Sequence, residues 1–248
     1  MAEQDLQLTV PDGTVDAVLI TPEGGKPLPG ILFIPDIWSL RDTMREMARR
    51  LADEGYTVLM PNPFYRTSRP PVFPFAREGA EPATIMKRIG ELIAPLTPEA
   101  LEKDLAVYVD TLASQPTTAK GKIGAVGFCI GGGIALRAAA LRPEVVAAAA
   151  SFHGGGLYKA NDVASPHLVL PSVKARLYFG HAIDDKSMDA DAIAELTKVL
   201  KQWGGRFESE IYEGAHHGWT VPDGPAYNQP QAERAYAKLT ELFREALA

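Results

Sequence analysis

The chain opens with two runs whose apolar and polar positions recur as they do in β-strands. "LQLTV" and "VDAVLI" flank the triplet "PDG", which predicts a β-hairpin with Asp12 and Gly13 in its turn. The run "GILFIPD" that follows is continuously apolar, as expected of a strand that is covered on both faces of a sheet. Further strands are predicted over "YTVLMPN", "GKIGAVGF", "VVAAAASF", "ARLYFG" and "RFESEIYEG".

Helical periodicity separates these strands. Apolar residues spaced three and four apart predict helices whose buried faces carry Leu40, Met44, Met47 and Leu51; Leu101, Leu105, Tyr108 and Leu112; Ile193, Leu196 and Leu200; and Ala235, Leu239 and Leu242. An alanine-rich helix is predicted from about Ile130 to Leu141, and Pro230 suits the first turn of the last helix. From residue 29 onward strands and helices alternate. This predicts an α/β fold in which a mostly parallel sheet carries helices on both faces, after an antiparallel N-terminal hairpin.

Residues 63–97 interrupt the alternation. The stretch "PFYRTSRPPVFPFAREGAEP" is dense in proline and arginine and excludes a regular strand, although a short helix is predicted around "ATIMKRIGELI". The segment is either an irregular surface crossover or a cap over a binding site. No repeat or linker divides the chain, so we expect a single domain over residues 1–248.

Composition and charge limit the partners. Of the 248 residues 46% are hydrophobic and 23% are charged, and the net charge is −6, which argues against nucleic acid or an anionic membrane as the main partner. No run approaches 18 apolar residues, and the start "MAEQDLQLTV" has no signal-peptide pattern. The single cysteine excludes an internal disulfide and a multi-cysteine metal site. We therefore expect a cytoplasmic protein that is a monomer or a small homo-oligomer.

That cysteine, Cys129, lies in "AVGFCIGGG", between a predicted strand and a predicted helix. Gly127 and Gly131 flank it at −2 and +2, which is the G-x-S-x-G pattern of a nucleophile elbow with cysteine in place of serine. A helix N-terminus at that point would favour a thiolate. The alternative is a small buried core residue, because free cysteines often pack as apolar side chains. The motif is not a Walker A loop, and it supports dinucleotide binding only weakly.

A hydrolase of this architecture has its acid and its histidine after later strands, in that order along the chain. "HAIDDKSM" offers Asp184 and Asp185 after one strand, and "AHHGWTVPDG" offers His216 and His217 after the next. As alternatives, such an aspartate could cap a helix, and such a histidine could be solvated or structural.

Two further histidines, His153 and His181, also lie just past predicted strands, so they could line the same cleft. A metal site built from these histidines would lack helical ligand spacing and carboxylate support. We therefore predict neither a metal ion nor a cofactor.

Several motifs together resemble one family. "GFCIGGG", "YFGHAIDDKSM" and "YEGAHHGWTVPD" resemble the dienelactone hydrolases (carboxymethylenebutenolidases) of the α/β-hydrolase superfamily, and "FIPDIWSLRD" is similar to that family's segment after its third strand. The resemblance extends from about Leu6 to the last helix. It implies that Cys129 is the nucleophile, His217 its base and Asp185 the acid, because His217 precedes the Gly-aromatic pair and Asp185 has Met188 three residues later.

The resemblance also implies substrate contacts. Asp36 stands where the family has a glutamate that contacts the resting thiol, and Arg66 matches an arginine that holds the substrate carboxylate. Val221 stands where a second such arginine is expected. As alternatives, Arg66 is a surface residue, and Trp38 and Trp219 pack in the core rather than line an apolar pocket.

The expected activity is hydrolysis of a small lactone or ester through a thioester formed on Cys129. The backbone N–H groups of Ile37 and Ile130 are expected to bind the oxyanion. Two other functions remain open on the same fold. One is a redox sensor that uses Cys129 as a reversible switch, and the other is an acyltransferase that uses the same thioester.

Overall fold

The computed structural model describes residues 1–247, and Ala248, the last residue of the predicted domain, lies outside the described residues. Eight strands form one sheet: β1 Ala2–Val10, β2 Gly13–Thr21, β3 Gly30–Ile34, β4 Thr57–Pro61, β5 Ile123–Phe128, β6 Val146–Phe152, β7 Arg176–His181 and β8 Phe207–Ile211. Their order across the sheet is β1-β2-β4-β3-β5-β6-β7-β8. The six strands from β4 to β8 in that order are mutually parallel, so their carboxyl ends meet at one edge.

The two N-terminal strands are antiparallel to each other, and β2 is antiparallel to β4. Val10 pairs with Gly13, so Pro11 and Asp12 occupy the turn and Gly13 is the first residue of β2. The turn therefore lies one residue earlier than predicted. Gly13 has a φ of +151°, in the positive region that glycine adopts without a steric penalty.

Residues 1–247 contain six α-helices, five of which cover the sheet: α1 Asp42–Asp53, α2 Pro82–Ile93, α3 Pro98–Ser114, α4 Ile130–Leu141, α5 Ala190–Trp203 and α6 Gln229–Leu247. The exception is α2, which belongs to the irregular segment. The apolar faces of α3, α4 and α5 bury one side of the sheet in a single cluster. The faces of α1 and α6 bury the other side, so the predicted α/β arrangement with helices on both faces is confirmed. Within residues 1–247, none of these helices has the length and apolar character that crossing a membrane requires.

The irregular segment 63–97 has a small apolar core of its own. Phe64, Val72, Phe73 and Leu92 cluster with Ile37, and the side chain of Ile130 packs against them. The helix predicted around "ATIMKRIGELI" is α2, which begins at Pro82. The segment thus lies against the end of β3 and the start of α4, the two places where the sequence predicts the oxyanion-binding groups. A second difference from the prediction is a short 3₁₀ helix, Pro166–Ser172, in the long loop after β6.

Candidate active site

The single cysteine occupies a sharp turn between β5 and α4. Cys129 has a φ of 57° and a ψ of −123°, a conformation that a residue with a side chain adopts only under strain. The turn is tight enough to require its glycines. A Cβ on Gly127 would lie 1.9 Å from the carbonyl oxygen of Gly131, and a Cβ on Gly131 would lie 2.6 Å from the carbonyl oxygen of Ile34. The turn therefore has the geometry of the predicted elbow, in which only glycine fits at the positions of Gly127 and Gly131.

A histidine and a carboxylate follow the ends of β8 and β7. The Nδ1 atom of His217 lies 2.5 Å from Oδ2 of Asp185. The other oxygen of that carboxylate accepts hydrogen bonds from the backbone N–H and the hydroxyl of Ser187, at 2.8 and 2.6 Å. With both of its oxygens bonded and 7% of its surface exposed, Asp185 is fixed in position and orients the imidazole.

The electrostatics of this pair favour a charged imidazole. Burial alone would lower the pKa of His217, but hydrogen bonds to Asp185 and Cys129 and the negative charge of both groups raise it to about 10. For Asp185 burial acts to raise the pKa, but the hydrogen bonds from His217 and Ser187 and the charge of His217 outweigh it, so the pKa lies below its usual value. The imidazole of His217 therefore keeps its positive charge at neutral pH, in the wall of the cavity that also contains Cys129.

The neighbouring pair of the same residue types lies on the surface. The Nδ1 atom of His216 is 2.7 Å from Oδ1 of Asp184, and both side chains are about 60% exposed. Neither residue is among those that line the cavity containing Cys129. The two adjacent aspartate–histidine pairs thus differ in their access to the sulfur, as expected for consecutive residues whose side chains point in different directions.

Cys129 opens into a cavity of about 320 Å³ at the carboxyl edge of the sheet. The lining residues are Asp36, Ile37, Trp38, Arg77, Ile85, Cys129, His153, His217, Gly218, Val221, Gly224, Pro225 and Ala226. Most of these are apolar, so the cavity suits a small molecule with an apolar body. Arg77 and Ile85 come from the irregular segment 63–97, which therefore forms part of the wall.

The carboxylate of Asp36 is held by an arginine of the following loop. Arg41 donates two hydrogen bonds to it, at 2.7 and 2.9 Å, and also donates to Asp223. Oδ1 of Asp36 also accepts from the backbone N–H of Trp38, at 2.9 Å. Asp36 lines the same cavity as Cys129, and its ion pair with Arg41 lies at the turn after β3.

The structure places Arg66 away from Cys129, contrary to the expectation that it holds a substrate carboxylate. Its guanidinium forms ion pairs with the buried Asp104 on α3 and with Asp12 in the hairpin turn, and it is not among the residues that line the cavity. These two carboxylates satisfy its charge. Arg66 therefore joins the hairpin, the irregular segment and α3, a structural role.

The two tryptophans differ in position. Trp38 is half-buried and lines the cavity, where its ring stacks on Phe73 at a centroid distance of 3.9 Å. Trp219 is fully buried and packs against Tyr212 and His153, behind the wall rather than in it. Of the two expected pocket walls, only Trp38 is in contact with the cavity.

Three residues complete the site without having been assigned a role in it by sequence reasoning. Ser187 bonds the carboxylate of the acid, and Thr220 bonds the imidazole of His153, at 2.8 Å. Arg77 reaches the cavity from a stretch that has no periodicity from which its direction could be derived. Of the three, only Ser187 could have been predicted from the sequence. It lies two residues after Asp185, a spacing at which an aspartate side chain commonly accepts a hydrogen bond from the backbone N–H.

A strand–elbow–helix turn, with an aspartate and a histidine after later strands of a mostly parallel sheet, is the arrangement typical of an α/β-hydrolase. The model of the dienelactone hydrolase family matches residues 15–247, and the chain belongs to that family. The predicted family and fold class are therefore confirmed. The protein is a hydrolase of carboxylic esters or lactones.

Individual relatives agree with this assignment. The carboxymethylenebutenolidase of Rhodococcus opacus is 28% identical over 230 residues, which cover 88% of this chain and 81% of the relative. A Synechocystis protein that carries the same name provisionally is 27% identical over 222 residues, 88% of this chain and 87% of its own. A crystal structure of a provisionally named dienelactone hydrolase from Klebsiella pneumoniae has a TM-score of 0.83 and 22% identity, and covers 98% of this chain and 99% of the other. That structural likeness concerns the fold.

Proposed function

We propose that this protein hydrolyses a small ester or lactone through a thioester on Cys129, with His217 as acid–base and Asp185 as the residue that orients it. The observation that carries the proposal is that His217, hydrogen-bonded to Asp185, and Cys129, at the elbow, line the same cavity. An imidazolium paired with a thiolate is a nucleophile that is already active at neutral pH.

The thiolate attacks the carbonyl carbon, and its electron pair forms the carbon–sulfur bond while the carbonyl π pair moves to oxygen. We propose the N–H groups of Ile37 and Ile130 as donors to this oxyanion. Ile130 is the first residue of α4, so its N–H has no acceptor within the helix. The neighbouring Trp38 N–H is committed to Asp36, which orients the turn that contains Ile37. Losing one such donor typically costs about 3 kcal/mol in the transition state.

Collapse of the tetrahedral intermediate breaks the bond to the alkoxide or enolate oxygen, and His217 donates its proton to that oxygen. The neutral His217 then removes a proton from a water molecule, and the resulting hydroxide adds to the thioester. The second collapse expels the thiolate, releases the acid and restores the imidazolium. An enolate or aryloxide leaves the tetrahedral intermediate readily, whereas an amine must first be protonated, so enol lactones and activated esters suit this site better than amides.

The position of Arg77 in the cavity wall favours a substrate that carries a carboxylate. Its guanidinium carbon lies 4.4 Å from the centre of the Trp38 ring, and one N–H group reaches the backbone oxygen of Asp223 at 3.4 Å. Burial lowers the pKa of Arg77, and the nearby charge of Arg41 acts in the same direction. A half-buried guanidinium in a mostly apolar wall is a site at which a substrate carboxylate would gain a charge-assisted hydrogen bond. In this proposal residues 63–97 act as a cap that supplies Arg77.

The test uses Cys129→Ala and Cys129→Ser with p-nitrophenyl acetate and a carboxylated aryl ester. Hydrolysis should be abolished by alanine and nearly abolished by serine, with unchanged circular dichroism. Rapid quenching of the wild type should give a protein whose mass is increased by the acyl group, located on the Cys129 peptide. Near-normal turnover by the alanine variant would exclude this mechanism. A sensor would be alkylated by iodoacetamide without ester turnover, and an acyltransferase would form mostly the new ester when an alcohol is present.

A further inference from the structure

A buried histidine that the mechanism does not use adjoins the nucleophile. His153 follows β6 directly, is 1% exposed and has a φ of 41°, an uncommon value for a residue with a side chain. Its ring lines the cavity and stands edge-on to the ring of His217, with 5.2 Å between centroids. A residue held in this conformation directly beside the reacting groups calls for a functional explanation.

The two ring nitrogens of His153 bond to two different parts of the site. Nδ1 is the second acceptor of the backbone N–H of Cys129, at 3.2 Å, beside the carbonyl oxygen of Phe152 at 3.1 Å. Because Nδ1 must then carry a lone pair, the ring hydrogen is on Nε2, which donates to the hydroxyl of Thr220 at 2.8 Å. Thr220 lies three residues after His217, in the loop that carries the general base.

We propose that His153 is a positioning residue whose neutral imidazole spans the nucleophile elbow and the loop of His217, and so holds the sulfur and the base in register. This inference rests on the proposed function, because it takes Cys129 as the nucleophile. The elbow lies between β5 and α4, and His217 lies in the segment after β8. Because these segments are far apart in sequence, the distance between Cys129 and His217 must be set by contacts between the two segments. The bridge through His153 connects the two directly.

The surroundings keep the bridging imidazole neutral. Burial lowers the pKa of His153 well below its usual value, and the charge of His217 lowers it further, whereas Asp185 acts in the opposite direction. The titratable groups that face the ring are therefore His217, Asp185 and Cys129. A protonated His153 would no longer accept from the Cys129 N–H, which would keep only the carbonyl oxygen of Phe152, and its charge would repel the imidazolium of His217.

The test is a double-mutant cycle with His153→Asn and Thr220→Val. Asparagine tolerates a positive φ, and its Oδ1 can still accept from the Cys129 N–H, but the side chain is too short to reach Thr220. Valine keeps the shape of threonine and removes the hydroxyl. Each substitution should lower kcat/KM for p-nitrophenyl acetate about 10-fold. Because both break one bridge, the double variant should be about 10-fold slower rather than about 100-fold, with KM unchanged.

A second measurement separates positioning from general stability. The pH midpoint for alkylation of Cys129 by iodoacetamide should rise in both variants, because a displaced His217 stabilises the thiolate less. The matched control is His181→Asn, which removes another buried imidazole, hydrogen-bonded to Ser209 and outside the cavity lining. Its unfolding midpoint should fall, while its alkylation midpoint should stay at the wild-type value.

Multiplicative losses in the double variant, or an unchanged alkylation midpoint in folded His153→Asn, would overturn the proposal. An equal shift in His181→Asn would overturn it as well. If His153→Asn does not fold, Thr220→Val alone decides, because a wild-type alkylation midpoint in that variant contradicts the bridge. Full activity of Cys129→Ala would instead contradict the proposed function, so the two failures are distinguishable.

Discussion

His217 and Asp185 meet through a single short contact, with Nδ1 of the imidazole 2.5 Å from Oδ2 of the carboxylate, while their chain neighbours form a parallel contact on the surface. The inner pair, Asp185 and His217, therefore lies on the side of the Cys129 cavity, and the outer pair, Asp184 and His216, faces solvent. This difference between two chemically identical pairs allows each member of the inner pair to be tested against its own neighbour.

Asp185→Asn should lower kcat at least about 100-fold, and Asp184→Asn should lower it less than about 2-fold. The amide removes the charge that orients and stabilises the imidazolium, whereas Asp184 holds only the exposed His216. The measurement is steady-state hydrolysis of p-nitrophenyl acetate, with circular dichroism as the folding control. Equal losses in the two variants would place the acid one residue away from Asp185.

The protonation of His217 should depend on the cysteine. In the wild type its pKa is raised to about 10, and a hydrogen bond to Cys129 is one of the causes. Cys129→Ala removes that partner and its negative charge, so the pKa of His217 should fall, and Asp185→Asn should lower it further. Titration of the imidazole signals by NMR measures both changes. A titration curve for His217 that is unaltered by Cys129→Ala would mean that the two side chains do not interact.

Arg77→Gln should lower kcat/KM about 10- to 150-fold for a carboxylated aryl ester and should barely change it for p-nitrophenyl acetate. The matched control is Arg66→Gln. Because Arg66 is paired with the buried Asp104 outside the cavity, its loss should reduce the free energy of unfolding by about 3 kcal/mol without changing the preference between the two esters. If Arg66→Gln rather than Arg77→Gln changes the preference, the original assignment from family resemblance is correct.

Gly127→Ala should destabilise the protein by about 3 kcal/mol or more, because its Cβ would lie 1.9 Å from the carbonyl oxygen of Gly131. Gly90→Ala is the control. Gly90 lies exposed in the interior of α2, no heavy atom lies within 4 Å of the position of an added Cβ, and alanine should stabilise the helix by about 0.5–1 kcal/mol. Urea denaturation measures both. Similar stability of the two variants would contradict the close packing of the elbow.

The features that depend on local chain geometry can be predicted from the amino-acid sequence. The alternation of apolar runs with helical periodicities is sufficient to predict the parallel sheet and its two helical faces, because both depend on spacing along the chain. The elbow is partly local, since Gly127 is required by its contact with Gly131, whereas Gly131 is required by its contact with Ile34 at the end of β3. The rule that parallel strands end at one edge then brings the elbow, the aspartate and the histidine to the same edge.

Which of the distant side chains reach the site depends on the folded arrangement of the loops. Arg66 and Arg77 lie in the same irregular segment, where no periodicity indicates direction, and the carboxylate of Asp104 on α3 draws one of them away from the cavity. The ion pair of Asp36 and the bridge through His153 likewise join loops that are far apart in sequence. These contacts depend on the distances between loops at the edge of the folded sheet, and those distances cannot be derived from the spacing of residues along the chain.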